Sequence, residues 1–259
     1  MKIDELKITK AIIDTYYKKL TTSLDLDVAV VGGGPSGLSA LYYLSKAGLN
    51  TALFEKKLSI GGGMWGGGMG FNIIVVQEEG KMILDDFKIN YQKYEENYYT
   101  ADAIESVGKL ISGATSAGGK IFNLFSVDDV VLIDNRISGI VVTSAPIESA
   151  GLHVDPIVIK SKYVIEATGH PCEVANVAVK KGRIKLPTPD GGVQGERSMW
   201  AEVGEKAIDK NTVEVYPGLW ITGMAANAIF GDHRMGPIFG GMLFSGKKAA
   251  EKIIEILNK

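Results

Sequence analysis

Val28-Ala-Val-Val-Gly-Gly-Gly-Pro-Ser-Gly37 is an apolar run that breaks into glycines at 32, 33, 34 and 37, then passes into Leu38-Ser-Ala-Leu-Tyr-Tyr-Leu44. A buried strand followed by Gly-x-Gly-x-x-Gly and a helix brings a helix N-terminus against a diphosphate. Each glycine then has a task. Gly32 makes the tight turn, Gly34 lacks the Cβ that would hold the backbone away from phosphate, and Gly37 lets helix and strand pack closely. Free N–H groups and the helix dipole stabilise the anion. A second apolar run, Thr51-Ala-Leu-Phe54, ends in Glu55, where a carboxylate bonds ribose hydroxyls. An acid there favours free 2′- and 3′-hydroxyls over a 2′-phosphate, although Lys56 and Lys57 soften that preference.

Composition bounds the rest. At 259 residues and 46% hydrophobic, the chain suits a single α/β domain over its whole length with a sizeable core, or one such domain with an inserted lobe. A net charge of -2 gives no reason to expect a nucleic-acid or anionic-membrane partner. The 32 glycines cluster at 32–37, 61–70, 191–195 and 236–241, so they mark tight sites and not low complexity. One cysteine excludes an internal disulfide and fits a reducing compartment. With a polar N-terminus and no apolar run near the roughly 20 residues a bilayer demands, the expected location is cytoplasmic.

Spacing of apolar residues predicts the elements. Residues 3–20 read as a helix with a wide apolar stripe, packed on the domain or on a neighbouring subunit. Strands are expected at 25–31 and 50–55, with a helix over 36–47 between them. Gly61-Gly-Gly-Met-Trp-Gly-Gly-Gly-Met-Gly70 cannot be a helix interior and reads as backbone passing under a bound nucleotide, kept ordered by Met64, Trp65 and Met69. Polar surface helices with a tyrosine-rich loop are expected over 78–98, and a helix over 101–117. Strands at 120–131 and 137–144, joined by the Asp134-Asn135 turn, give a β-meander, and 163–167 reads as a further buried strand. Residues 171–215, charged and broken by Pro187 and Pro189, read as a mobile insertion or lid. A strand at 218–223 and a helix at 239–257 close the chain. The fold class is α/β, a Rossmann-like dinucleotide-binding fold with a central parallel sheet and a covering antiparallel meander.

Chemistry-bearing residues are few. His153 and Asp155 lie in Gly151-Leu-His-Val-Asp-Pro156, and His170 ends Ala167-Thr-Gly-His. Two loops flanking one strand or a hairpin can bring Asp155 and His170 together as a partial ligand set for a divalent transition metal; on site rules alone a structural histidine is the stronger reading. Arg234, in Gly231-Asp-His-Arg-Met-Gly-Pro-Ile-Phe-Gly-Gly-Met242, can fork onto a carboxylate. Cys172 reads as a small buried apolar residue before it reads as a nucleophile or ligand.

Taken in order, Gly-Gly-Gly-Pro-Ser-Gly, Glu55-Lys56, Gly-Gly-Gly-Met-Trp-Gly, His-Val-Asp-Pro, Ala-Thr-Gly-His and His-Arg-Met-Gly-Pro-Ile-Phe-Gly resemble the thiamine thiazole synthase family from about residue 20 to the end. The resemblance implies that NAD is consumed as a substrate and not used as a hydride carrier. Nicotinamide leaves, and the ADP-ribose skeleton condenses with glycine and sulfur to an adenylated thiazole carboxylate with Fe(II) assistance. It implies that Ser36, Glu55, Lys56, Gly63 and Val127 hold the adenosine diphosphate part and that Met224 lines the cofactor site. Asp155 and His170 would ligate iron, and Arg234 would clamp the glycine carboxylate. A homo-octamer, with the iron site shared between adjacent protomers, is implied as well. Fungal and plant relatives carry a sacrificial cysteine two residues before the iron-binding aspartate; here that position is His153, which has no sulfur to give. The chain therefore resembles the archaeal type that takes free sulfide, with His153 the candidate proton shuttle beside the metal.

Two rival readings remain. An FAD-dependent oxidoreductase shares the fingerprint, but such proteins usually end the last strand in Gly-Asp, and here Met224 stands in place of the acid. A catalytically silent dinucleotide-binding or assembly protein would leave Asp155, His170 and Arg234 without a task.

Overall fold

The computed structural model describes residues 3–259. Helix α1 (Glu5–Thr21) starts at Asp4, whose carboxylate accepts from the Lys7 N–H at 3.1 Å. None of its residues is fully buried, so most of its apolar stripe is not packed on the rest of the chain. Contact with the body comes near its end, where Tyr16 meets the edge of Phe122 and the Lys19 ammonium donates to the Ile121 carbonyl.

Strand β1 (Asp25–Val31), helix α2 (Pro35–Lys46) and strand β2 (Thr51–Glu55) form the opening unit, with β1 and β2 parallel. Both strands read as unbroken apolar runs because both sheet faces are covered. Ala29 and Val31 enter one core layer, Val28 and Val30 the other. The glycine run holds one 3₁₀ turn at Gly62–Gly66, so it excludes α-helix but not all helix.

The largest departure from the sequence reading lies at residues 73–102. Strand β3 (Ile73–Val76) is followed by one helix, α3 (Glu78–Asp86), and then by a hairpin of β4 (Tyr91–Glu95) and β5 (Tyr98–Asp102). These strands form a separate antiparallel sheet, β3-β5-β4. Only one of the expected surface helices exists, because tyrosine and threonine favour the pleated surface and Asn97 takes the left-handed conformation (φ 63°) that the turn requires. Tyr91 and Tyr99 then meet edge to face across β4 and β5.

Helix α4 (Ala103–Ser116) is capped by Asp102, which accepts from the Glu105 N–H at 2.8 Å. The strand expected over 120–131 is two strands. Strand β6 (Lys120–Asn123) pairs with β2, Leu124 turns left-handed, and β7 (Phe125–Ile133) departs. Asp134 and Asn135, both at positive φ, close the hairpin to β8 (Arg136–Ser144). After α5 (Ala145–Ser149), the ten-residue β9 (Ile157–Glu166) joins two assemblies. Through Lys160 it pairs antiparallel with β8; from Lys160 onward it pairs parallel with β1. The meander β7-β8-β9 thus grows out of the parallel sheet.

Residues 171–215 are built into the body. Helix α6 (Glu173–Lys180) buries Val174, Ala175 and Ala178, while α7 (Ala201–Asn211) buries Ile208. Strands β10 (Glu214–Tyr216) and β11 (Leu219–Ile221) complete the sheet order β10-β11-β9-β1-β2-β6. Helix α8 (Met224–Phe230) leaves the end of β11, and α9 (Gly240–Leu257) returns across α2. That crossing is close: a Cβ on Gly246 would lie 2.0 Å from the Ser36 carbonyl oxygen. No helix among the described residues is long and apolar enough to cross a membrane.

Candidate active site

A cleft of about 770 Å³ opens where the C-terminal ends of β1, β2, β9 and β11 meet, the place where open parallel sheets bind ligands. Its floor is the glycine turn, and the three glycines of the fingerprint separate by cause. A Cβ on Gly32, at φ +105°, would sit 2.3 Å from the Ala167 carbonyl oxygen, and one on Gly37 would sit 2.0 Å from the Gly32 carbonyl oxygen. Those two are imposed by the protein's own backbone. A Cβ on Gly34 meets nothing within 4 Å and would stand over the cleft at the N-terminus of α2. Only a ligand can require a glycine there.

Glu55 is buried and already engaged. One carboxylate oxygen accepts from the Gly33 N–H at 2.7 Å, the other from the Lys57 N–H at 2.8 Å. It therefore holds the glycine loop against β2, and each oxygen keeps a lone pair for a ligand hydroxyl. Lys56 forms an ion pair with Glu173 in the first turn of α6, so its charge is matched within the chain. Ser36 lies on the second residue of α2, against Gly223, which precedes Met224 at the start of α8. Gly63 comes from the 3₁₀ turn, and Val127 from the first residues of β7. Both line the cleft, as do Ser36 and Met224.

His170 and Arg234 also line the cleft. The turn from 167 to 175 is shaped by Glu166, which is fully buried and whose oxygens accept from the Thr168 N–H at 2.9 Å and the Ala175 N–H at 3.0 Å. Burial pushes this carboxyl above its ordinary value. Within the turn Cys172 sits left-handed and wholly buried, its sulfur close to the carbonyls of Gly169, His170 and Ala225. Burial, aided by Glu166 and Glu196, pushes the thiol far above physiological pH, so it is not a thiolate nucleophile. His170 Nδ1 lies 2.5 Å from a Glu196 oxygen, which leaves Nε2 as the ring's remaining donor atom. Arg234 is exposed and forms no ion pair among the described residues; Asp232 beside it is bonded to Asn211 at 2.6 Å.

One expectation fails within the chain. Asp155 precedes β9 and His170 follows it, so they stand at opposite ends of a ten-residue strand, about 30 Å apart along its axis. Flanking loops of a single strand cannot meet when the strand is extended. His153 and Asp155 are exposed at the meander end, outside the cleft. Among the described residues no three His, Cys, Asp or Glu side chains gather as a metal site. Sequence reasoning also missed Glu196 and Ser126, a cleft residue whose buried hydroxyl has no partner among the described residues. Neither lies in a motif; Glu196 is one of many charged residues in a stretch without periodicity.

The Thi4 family pattern matches residues 9–239. A thiamine thiazole synthase of Methanothermobacter thermautotrophicus is 56% identical over 257 residues, covering 99% of this chain and 100% of the relative. One from Pyrococcus horikoshii is 56% identical over 253 residues, covering 98% of each. The crystal structure of Thermovibrio ammonificans THI4 superposes with a TM-score of 0.98 at 50% identity, covering 100% of both chains. A geranylgeranyl bacteriochlorophyll reductase-like protein from Thermoplasma acidophilum, at TM-score 0.59 and 16% identity, shares the fold alone. With its fingerprint, its cleft and its full-length relatives in agreement, the chain belongs to the Thi4 family.

Proposed function

We propose that this protein is a thiamine thiazole synthase that consumes NAD. It would join the ADP-ribose skeleton to glycine and free sulfide, release nicotinamide, and yield an ADP-linked 5-(2-hydroxyethyl)-4-methylthiazole-2-carboxylate with Fe(II) assistance. The observation that carries this reading is the placing of Gly34, His170 and Arg234 in the walls of one cleft large enough for a dinucleotide. Gly34 and the N-terminus of α2 would fix the diphosphate, so that binding energy from the remote adenylate positions the ribose. The free Ser126 hydroxyl, next to Val127, supplies a donor or acceptor for the nucleotide. In the same cleft, Arg234 would hold the glycine carboxylate with two parallel hydrogen bonds, leaving the amine free to meet the opened ribose.

His170 and Asp155 offer an imidazole nitrogen and a carboxylate oxygen, a donor pair suited to Fe(II). When bound, the ion would supply Lewis-acid activation and a place to deliver hydrosulfide. Since β9 separates the two residues within one chain, the pair is complete only if His170 faces Asp155 of a neighbouring copy. Exposed apolar side chains flank both halves: Leu152 and Val154 beside Asp155, Met199 and Trp200 on the cleft side. Together with the exposed stripe of α1, they support a homo-oligomer, for which the octamer is our proposal. His153 would lie beside the shared metal as a proton shuttle. With no sulfur at His153 and Cys172 sealed in the core, sulfide must come from solution, and one chain would complete many cycles.

Mixing tests the shared centre. Asp155→Ala and His170→Ala proteins should each be inactive, and random co-assembly in equal amounts should restore roughly a quarter of wild-type activity, since about one site in four then joins two intact halves. Failure to complement, or full activity of either variant alone, would remove the shared metal from the account.

A further inference from the structure

We propose that Glu196 is the positioning residue for His170, holding the imidazole in one tautomer with Nε2 presented to the cleft; this rests on the metal-binding reading of His170. The two side chains come from segments 26 residues apart, and the Nδ1 to Oε2 distance of 2.5 Å makes a strong, directional hydrogen bond. An ionised carboxylate can only accept, so it selects the tautomer in which Nδ1 donates and Nε2 offers its lone pair to a metal.

The carboxylate is itself firmly placed. Its segment is stitched to the loop that carries Arg234: the Gln194 N–H donates to Ile229 O at 3.2 Å, Arg197 N–H to Asp232 O at 3.0 Å, and Trp200 N–H to Arg234 O at 3.0 Å. Arg234 N–H donates back to Arg197 O at 3.3 Å. One strap therefore fixes the partner of His170 and the backbone of Arg234 together. The second oxygen of Glu196 is buried with no hydrogen-bond partner among the described residues. Glu196 does not line the cleft, so its action passes through the ring of His170.

Anaerobic Co(II) titration of the assembled full-length protein, followed by ligand-field absorption, tests this without turnover. Wild type should bind, and His170→Ala should not. Glu196→Gln keeps size but removes charge; it should weaken Co(II) roughly 10- to 100-fold while leaving the melting temperature in place. Glu196→Asp should recover part of the loss. Wild-type Co(II) affinity in a folded Glu196→Gln protein, with His170→Ala still deficient, overturns the positioning role and spares the metal reading. Absence of His170-dependent binding in the wild type overturns both. If the Gln variant does not fold, the Asp variant decides: weakened binding supports the role, and unchanged binding refutes it.

Discussion

Replacing Gly34 by alanine separates the ligand's demands from the fold's. The residue sits at φ -77°, open to any amino acid, and its added methyl meets no protein atom within 4 Å. Two small effects oppose each other. Alanine restricts the unfolded chain and stabilises by about 0.4–1 kcal/mol, but it is a poorer helix N-cap than glycine by about 1 kcal/mol. The net change is near zero, and the melting temperature should shift by less than about 4 °C. Ligand binding should fare differently. The methyl would push a phosphate oxygen off the α2 N-terminus, and losing one charge-assisted hydrogen bond costs about 1.5–3 kcal/mol. That is roughly a 10- to 150-fold rise in Kd. Gly32→Ala is the control: its Cβ overlaps the Ala167 carbonyl at 2.3 Å, and forcing β1 from β9 should cost roughly 3 kcal/mol or more. Calorimetric titration with ADP-ribose and thermal unfolding of both variants decide the matter. A Gly34→Ala protein that binds ADP-ribose like wild type, or that melts as early as Gly32→Ala, refutes the division of roles.

Other perturbations follow from the same geometry. Burial, with Glu79 nearby, raises the Glu205 carboxyl to about 6. The folded state then holds a proton that the unfolded chain, with its ordinary value of 4.5, has released, so stability falls as pH rises from about 4.5 to 6 by about 2 kcal/mol. Glu205→Gln should remove that decline, raising the melting temperature at pH 7.5 and leaving it unchanged at pH 4; chemical denaturation across this range checks it, and a Gln variant with a wild-type slope contradicts it. Cys172→Ala should lose about 1 kcal/mol of stability, from a small buried cavity, and keep multiple turnovers with sulfide. Turnover capped at zero or one in that variant would make the thiol a participant after all.

Much of the fold was legible because both faces of the parallel strands are covered and the glycine fingerprint pins strand, turn and helix in order. Residues 28–55 show this: their apolar runs and the Gly32 turn admit few arrangements. The hairpin at Tyr91 to Asp102 was less legible, because its residues are half exposed, with little hydrophobic alternation, and Asn97 was the sole turn signal. The break at Leu124 had none, since leucine seldom turns left-handed. At the site, the glycine fingerprint, Glu55 and His170 gather in one cleft because their motifs follow the C-terminal ends of the parallel strands β1, β2 and β9, while the Arg234 loop reaches it through α8, which leaves the end of β11. Asp155 does not join them, because its motif lies at the start of its strand. The hydrogen bond between Glu196 and His170 depends on how a non-repeating strap lies over the turn, which no local pattern encodes.

Counting nicotinamide is the direct test of the central claim that the dinucleotide is dismantled in this cleft. Full-length protein incubated anaerobically with NAD, glycine, sulfide and Fe(II) should release nicotinamide in step with adenylated thiazole, at more than one of each per chain, as measured by mass spectrometry. Recovery of the NAD intact, or only reduced to NADH, with no nicotinamide set free, would contradict the account.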